Sequence, residues 1–164
     1  MRAVYLHGLG STNIGEKNDF LKDHFDAIYD PKIDYRKKGI YAELFKEIKV
    51  FKPDVIIGSS MGGWFAYNIA NKLGLESLLF NPAMQNRSIE PEITTKGVLG
   101  THNIVFGKKD DVVIAIDSYL KIVQNSFIRL RTLVIEYLLK CLLNTLRTLN
   151  KRKGYNGKFR VLLK

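Results

Sequence analysis

Asp54-Val55-Ile56-Ile57-Gly58-Ser59-Ser60-Met61-Gly62-Gly63-Trp64-Phe65-Ala66 decides how this chain is read. Asp54 leads a β-branched run, Val55-Ile56-Ile57, that stops at Gly58. From Gly62 onward Phe65, Ala66, Ile69, Ala70 and Leu73 recur at helical spacing. A strand therefore runs into a helix through Gly58-x-Ser60-x-Gly62. That is the setting of a nucleophile elbow, in which a serine stands exposed on a tight strand-to-helix turn. Such a turn is crowded, so its flanking residues must be small, and Gly58, Gly62 and Gly63 are. The helix behind Ser60 would point its positive end at the site and stabilise an oxyanion. The bland alternative is a plain Gly-Ser turn; the strand before and the helix after argue against it.

Outward from this stretch the chain alternates. Short apolar runs at residues 3–6, 26–29, 54–57, 77–80 and 103–106 end in turn residues, as fully buried parallel strands do. Helical spacing fills residues 18–25, 41–51, 62–73 and 113–123. Strand and helix in alternation predict βαβ units, and so an α/β fold with a mostly parallel sheet covered on both sides. A chain of 164 residues suits one compact domain with its own core.

Two further turns fall where chemistry would sit. The first run ends in His7-Gly8-Leu9-Gly10-Ser11. In α/β-hydrolases an early turn of this kind lends one backbone N–H to the oxyanion hole, and the residue after the nucleophile lends the other. Leu9 and Met61 are the candidates, and His7 is read as holding the turn rather than as a base. The run at 103–106 leads into Gly107-Lys108-Lys109-Asp110-Asp111. An acid here would hold a catalytic imidazole in its working tautomer. Asp110 is the candidate, with Asp111 either its understudy or a cap for the next helix. Phosphate-loop and dinucleotide readings fail on spacing. Glu16-Lys17 follows Gly15 where Lys-Ser/Thr is needed, and Asn13 stands where a third glycine should. No metal or cofactor motif appears, and the single cysteine, Cys141, excludes a disulfide framework.

With these residues in view, the chain resembles the YqiA/YcfP-type family of small α/β-hydrolase esterases, also catalogued as UPF0227. The resemblance is carried by Val4-Tyr5-Leu6-His7-Gly8-Leu9-Gly10-Ser11, Gly58 to Ala66, Asn81-Pro82-Ala83 and Gly107-Lys108-Lys109-Asp110, across residues 2–123. It implies a three-layer sandwich without a large lid. It implies hydrolysis of a small-molecule acyl ester or thioester by Ser60, with Asp110 as triad acid and no cofactor. Trp64 and Asn81 would line the substrate site, although Trp64 at helical spacing also reads as core and Asn81-Pro82 as a simple turn.

One part of the pattern is absent. A triad needs a histidine after the acid, but His7, His24 and His102 all precede Asp110. Composition changes at the same place. Residues 124–164 carry ten Lys or Arg against one acid, Glu136, while 1–123 carry 16 against 15. The net charge of +10 therefore belongs to a basic tail on a balanced body. The reading is a hydrolase core over 1–123 and a Leu-rich basic tail over 124–164 that replaces the last strand and helix. Apolar residues at helical spacing from 127 to 149 predict a helix there. A reading-frame slip near residues 124–130 would account for both changes. If Leu133 to Glu136 are encoded NNG-GTC-ATC-GAA, the frame one base earlier reads Gly-His-Arg.

Without the base, Ser60 keeps a high pKa and reacts poorly, so a weak or inactive enzyme is expected. The alternative is a non-catalytic protein that binds an acyl ligand, or one that uses its tail on nucleic acid or an anionic membrane. A basic tail supplies salt-sensitive attraction without specificity. No apolar stretch is long enough to span a membrane, and the first residues are too short a run for a signal peptide, so a cytoplasmic protein is expected.

Overall fold

A computed structural model describes residues 1–85, 87, 89, 100–106, 118 and 129–134. In chain order these form β1 (Arg2–Leu6), α1 (Glu16–His24), β2 (Ala27–Tyr29), α2 (Ile40–Phe51), β3 (Val55–Ser59), α3 (Met61–Leu73), β4 (Glu76–Phe80), β5 (Thr101–Phe106) and β6 (Arg129–Val134). The strands make one sheet in the order β2-β1-β3-β4-β5-β6, every neighbouring pair parallel.

Alternation along each strand splits the core into two layers, because successive side chains leave opposite faces of a sheet. Val4, Leu6, Ile56, Leu79, Ile104 and Phe106 meet α2 and α3 through Leu44, Ile48, Phe65 and Ile69. Ala3, Tyr5, Val55, Ile57, Leu78, Phe80 and Val105 meet α1 through Leu21 and Phe25. The result is the three-layer α/β sandwich that the alternating runs predict. Among the described residues no helix is long and apolar enough to cross a membrane.

The winding places the site. β1 is flanked by β2 on one side and β3 on the other, so the chain changes direction across the sheet between them. In open α/β sheets the crevice beyond the carboxyl ends of strands at such a point is where ligands bind. The turn after Leu6 and the turn after Ser59 both open there, because Leu6 is in register with Gly58.

The C-terminal region departs from the sequence expectation. Residues 129–134 are a strand, not part of a helix, and pair with β5 from Thr101↔Arg129 to Phe106↔Val134. A strand therefore follows β5, which is not left as the edge of the sheet. The six residues Arg129 to Val134 carry no clean polar–apolar alternation, so the Leu-rich stretch around them hides the strand. The expected helix at 113–123 lies outside the described residues except for Ser118, a buried side chain whose hydroxyl accepts the Met84 N–H at 3.3 Å. The remainder of the tail also lies outside them.

Candidate active site

Ser60 joins β3 to α3 with φ 51° and ψ −118°, a conformation an L-residue adopts at a cost of about 1–3 kcal/mol. Three backbone hydrogen bonds hold it there. Its N–H donates to the Phe80 carbonyl at 3.0 Å, and its carbonyl accepts from Trp64 at 3.1 Å and Ala83 at 3.0 Å. Its side chain makes no cap hydrogen bond to α3, so the hydroxyl is not spent on its own helix. Ser60 is partly exposed, whereas Met61 to Ala70 behind it are buried.

The glycines are dictated by close approach. A Cβ on Gly62 would run into the carbonyl oxygens of Leu6 and His7, because the start of α3 packs on the backbone at the end of β1. A Cβ on Gly58 would meet the Gly62 carbonyl and lie 2.7 Å from the Ala66 Cβ. Gly63 presses on Pro82, where a Cβ would come within 3.0 Å. Together these contacts draw the end of β1, the elbow and the Asn81-Pro82-Ala83 turn into one cluster.

The His7-Gly8-Leu9 turn lies against the serine. A Cβ on Gly8 would sit 3.4 Å from the Ser60 Cβ. Leu9, the next residue, is half-buried and packs on the α2/α3 side of the core. Met61 is the first residue of α3, where backbone N–H groups have no acceptor within the helix. His7 is buried and fully engaged. Its Nε2 accepts the Ile33 N–H at 3.0 Å, so the proton belongs on Nδ1, which donates to the Gly8 carbonyl at 2.8 Å. Tyr35 donates its hydroxyl to the His7 carbonyl and sets its ring edge-on to the imidazole, 5.7 Å between centroids. Burial raises the Tyr35 pKa, so the hydroxyl stays a donor. Ile33 and Tyr35 lie in the stretch between β2 and α2, where no periodic signal marks them.

The other two histidines stand far from Ser60. His24 ends α1, which starts beside the carboxyl edge of the sheet and runs to the amino edge. Its ring stacks on Phe20 at 3.9 Å, and its Nδ1 is 2.7 Å from the Phe20 carbonyl. His102 is the second residue of β5, in register with Ser77 and, through β4, with Ile56. Ile56 precedes Ser60 by four residues, roughly 13 Å of strand. His102 is fully buried, accepts the Ser77 hydroxyl at Nδ1 (2.7 Å) and donates from Nε2 to the Asn71 Oδ1 (3.0 Å). Burial lowers its pKa to about 4. All the histidines of the chain are therefore engaged elsewhere.

Of the remaining expected residues, Trp64 is buried in the α3 core, edge-on to Phe65, with the Arg87 guanidinium 4.7 Å above its ring. Asn81 follows β4 at φ 41° and donates its N–H to the Val105 carbonyl at 2.9 Å. It is half-buried, one residue before the Pro82 that touches Gly63. Asp110 and Asp111 lie outside the described residues, but β5 ends at Phe106, on the same edge of the sheet as Ser60. Among the described residues no group of three or more His, Cys, Asp or Glu side chains is placed to hold a metal ion.

Solved structures share this architecture. A Xanthomonas campestris pv. campestris protein assigned to the hydrolases of the α/β superfamily superposes with a TM-score of 0.67 at 16% identity, covering 93% of this chain and 97% of that one. The N-formylmaleamic acid deformylase of Pseudomonas putida S16 gives 0.62 at 12% identity, over 88% and 91%. The fluorophosphonate-binding serine hydrolase F of Staphylococcus aureus gives 0.55 at 12% identity, over 92% and 82%. At such identities the likeness is one of fold, the α/β-hydrolase fold. No curated protein matches the chain. Residues 2–136 match the model of the uncharacterised protein family UPF0227, and the chain belongs to that family.

Proposed function

We propose that the chain is a serine hydrolase of acyl esters or thioesters, acting in the cytoplasm, with Ser60 as nucleophile. The observation that carries this is the strained Ser60 backbone at the strand-to-helix turn, with its hydroxyl not used to cap α3 and Gly8 against its Cβ. Ser60 Oγ adds to the ester carbonyl, and the Leu9 and Met61 N–H groups donate hydrogen bonds to the carbonyl oxygen as charge develops on it. The tetrahedral adduct collapses and expels the alcohol or thiol, which takes up the proton that Ser60 gave to solvent water, and a second water hydrolyses the acyl-serine. Asp110 is assigned by chain order to the position of the triad acid, with none of His7, His24 or His102 for it to orient, and Asn81 borders the acyl site. Trp64, deep in the core, shapes that site from behind.

The proton of Ser60 has no imidazole to receive it, because His7, His24 and His102 are all engaged elsewhere. Turnover by this chain is accordingly slow, and an oxyanion hole alone retains roughly 10³–10⁴-fold over water. A fluorophosphonate probe tests the reading. It should label Ser60 far more slowly than it labels a serine hydrolase with a full triad, and Ser60→Ala should abolish the label. Labelling that survives in Ser60→Ala would rule Ser60 out.

Most of the basic excess, eight of the ten Lys or Arg of residues 124–164, lies after β6. Val134 ends a strand in continuous register with β5, and the family match runs to residue 136. We therefore place any reading-frame slip downstream of Glu136 rather than near residues 124–130. Sequencing the coding DNA across codons 118–145 tests this. An alternative frame that supplies Gly-His just after codon 136 supports a slip; no histidine in any frame makes the tail genuine.

A further inference from the structure

Lys17 is the second residue of α1, eight residues after Leu9 on the same segment. Its Nζ lies 5.7 Å from the centroid of the Phe80 ring. Phe80 is the last residue of β4, in register with Ser59, and its carbonyl takes the Ser60 N–H. The ammonium is thus held at the edge of the sheet that carries the elbow. It is half-buried, and desolvation lowers its pKa. Lys22 and Lys37 have carboxylate partners in Asp30 and Glu43, but among the described residues Lys17 has none. A ring face returns only part of the hydration that a half-buried ammonium gives up. An ammonium held on the ring of Phe80, whose carbonyl takes the Ser60 N–H, is suited to an anion that arrives with the ligand.

We propose that Lys17 makes the site selective for esters that carry a second, negatively charged group, a carboxylate or phosphate held by the Lys17 ammonium while Ser60 attacks the ester carbonyl. This rests on the reading of Ser60 as nucleophile. It assigns Lys17 to substrate recognition and not to proton transfer, because the charged form is the one that binds. Arg87 is a different case: its guanidinium lies over Trp64 and donates to the Ala83 and Met84 carbonyls, which positions it as a support for that turn.

Single-turnover acylation of Ser60, followed by intact mass, tests the proposal without needing turnover. One pair of probes is p-nitrophenyl hemisuccinate and p-nitrophenyl butyrate, with the anion on the acyl side. The other is the butyrate ester of 4-hydroxybenzoate and phenyl butyrate, with the anion on the leaving group. In at least one pair the ratio of anionic to neutral acylation rates should fall tenfold or more in Lys17→Gln and be retained in Lys17→Arg. The pair that responds locates the anion. Ratios that do not move in either pair overturn the proposal. If no ester acylates Ser60, the hydrolase reading fails by itself, and thermal melting decides the proposal. Succinate that raises the Tm of the wild type and not of Lys17→Gln supports it; equal shifts, or none, overturn it.

Discussion

Single residues set the geometry of the elbow, and Gly62 sets it most severely. Its missing Cβ is the space in which the Leu6 and His7 carbonyls sit. Gly62→Ala must part α3 from β1, and we expect a loss of at least about 3 kcal/mol in a urea melt, at the large end for a point change. A stability within 1 kcal/mol of wild type would show that the two backbones are not in contact. Tyr35 has a subtler part. Tyr35→Phe removes the hydroxyl that holds the His7 carbonyl, at about 1 kcal/mol, and should slow Ser60 acylation by loosening the Leu9 turn. Unchanged acylation would detach the turn from the chemistry. The glycines could be read from the sequence because steric need leaves a residue type behind. The clamp on His7 could not, since Ile33 and Tyr35 reach it from 26 and 28 residues away through an aperiodic stretch.

Among the elements, the central strands and α3 were legible because burial on both faces leaves uninterrupted apolar runs, such as Val55-Ile56-Ile57. Ile48, fully buried on α2, should cost about 2–5 kcal/mol when cut to Ala, measured by the same melt. β6 was not legible. Its six residues lie in a Leu-rich stretch whose i, i+3, i+4 matches favour a helix, and pairing with β5 outweighs that local preference. Removal of residues 135–164 should leave the sheet intact. Removal of 129–164 strips β5 of its partner and should drive self-association, because an unpaired strand edge templates further pairing. Sedimentation velocity distinguishes the two, and a monomeric 1–128 would show that β6 is dispensable.

For the molecule as a whole, His102 ties stability to acid. Its folded pKa of about 4 lies below the ordinary 6.5, so the unfolded chain binds the proton first as the pH falls. The contribution of His102 to stability is full above pH 6.5 and is lost as the pH falls to about 4, on the order of 3 kcal/mol, levelling off below that. Urea melts at pH 7 and 4.5 should show the loss in wild type and a smaller one in His102→Gln. Equal losses would assign the acid sensitivity elsewhere. The strand order also has a temporal meaning. After β1 has taken β2 on one side and β3 on the other, β4, β5 and β6 are each laid beside the strand made just before them. From β3 onward, spatial order across the sheet follows the order of synthesis, so each strand neighbours the one made just before it. A change in the last-made part of the polypeptide reaches the rim of the sheet after its interior has been laid down.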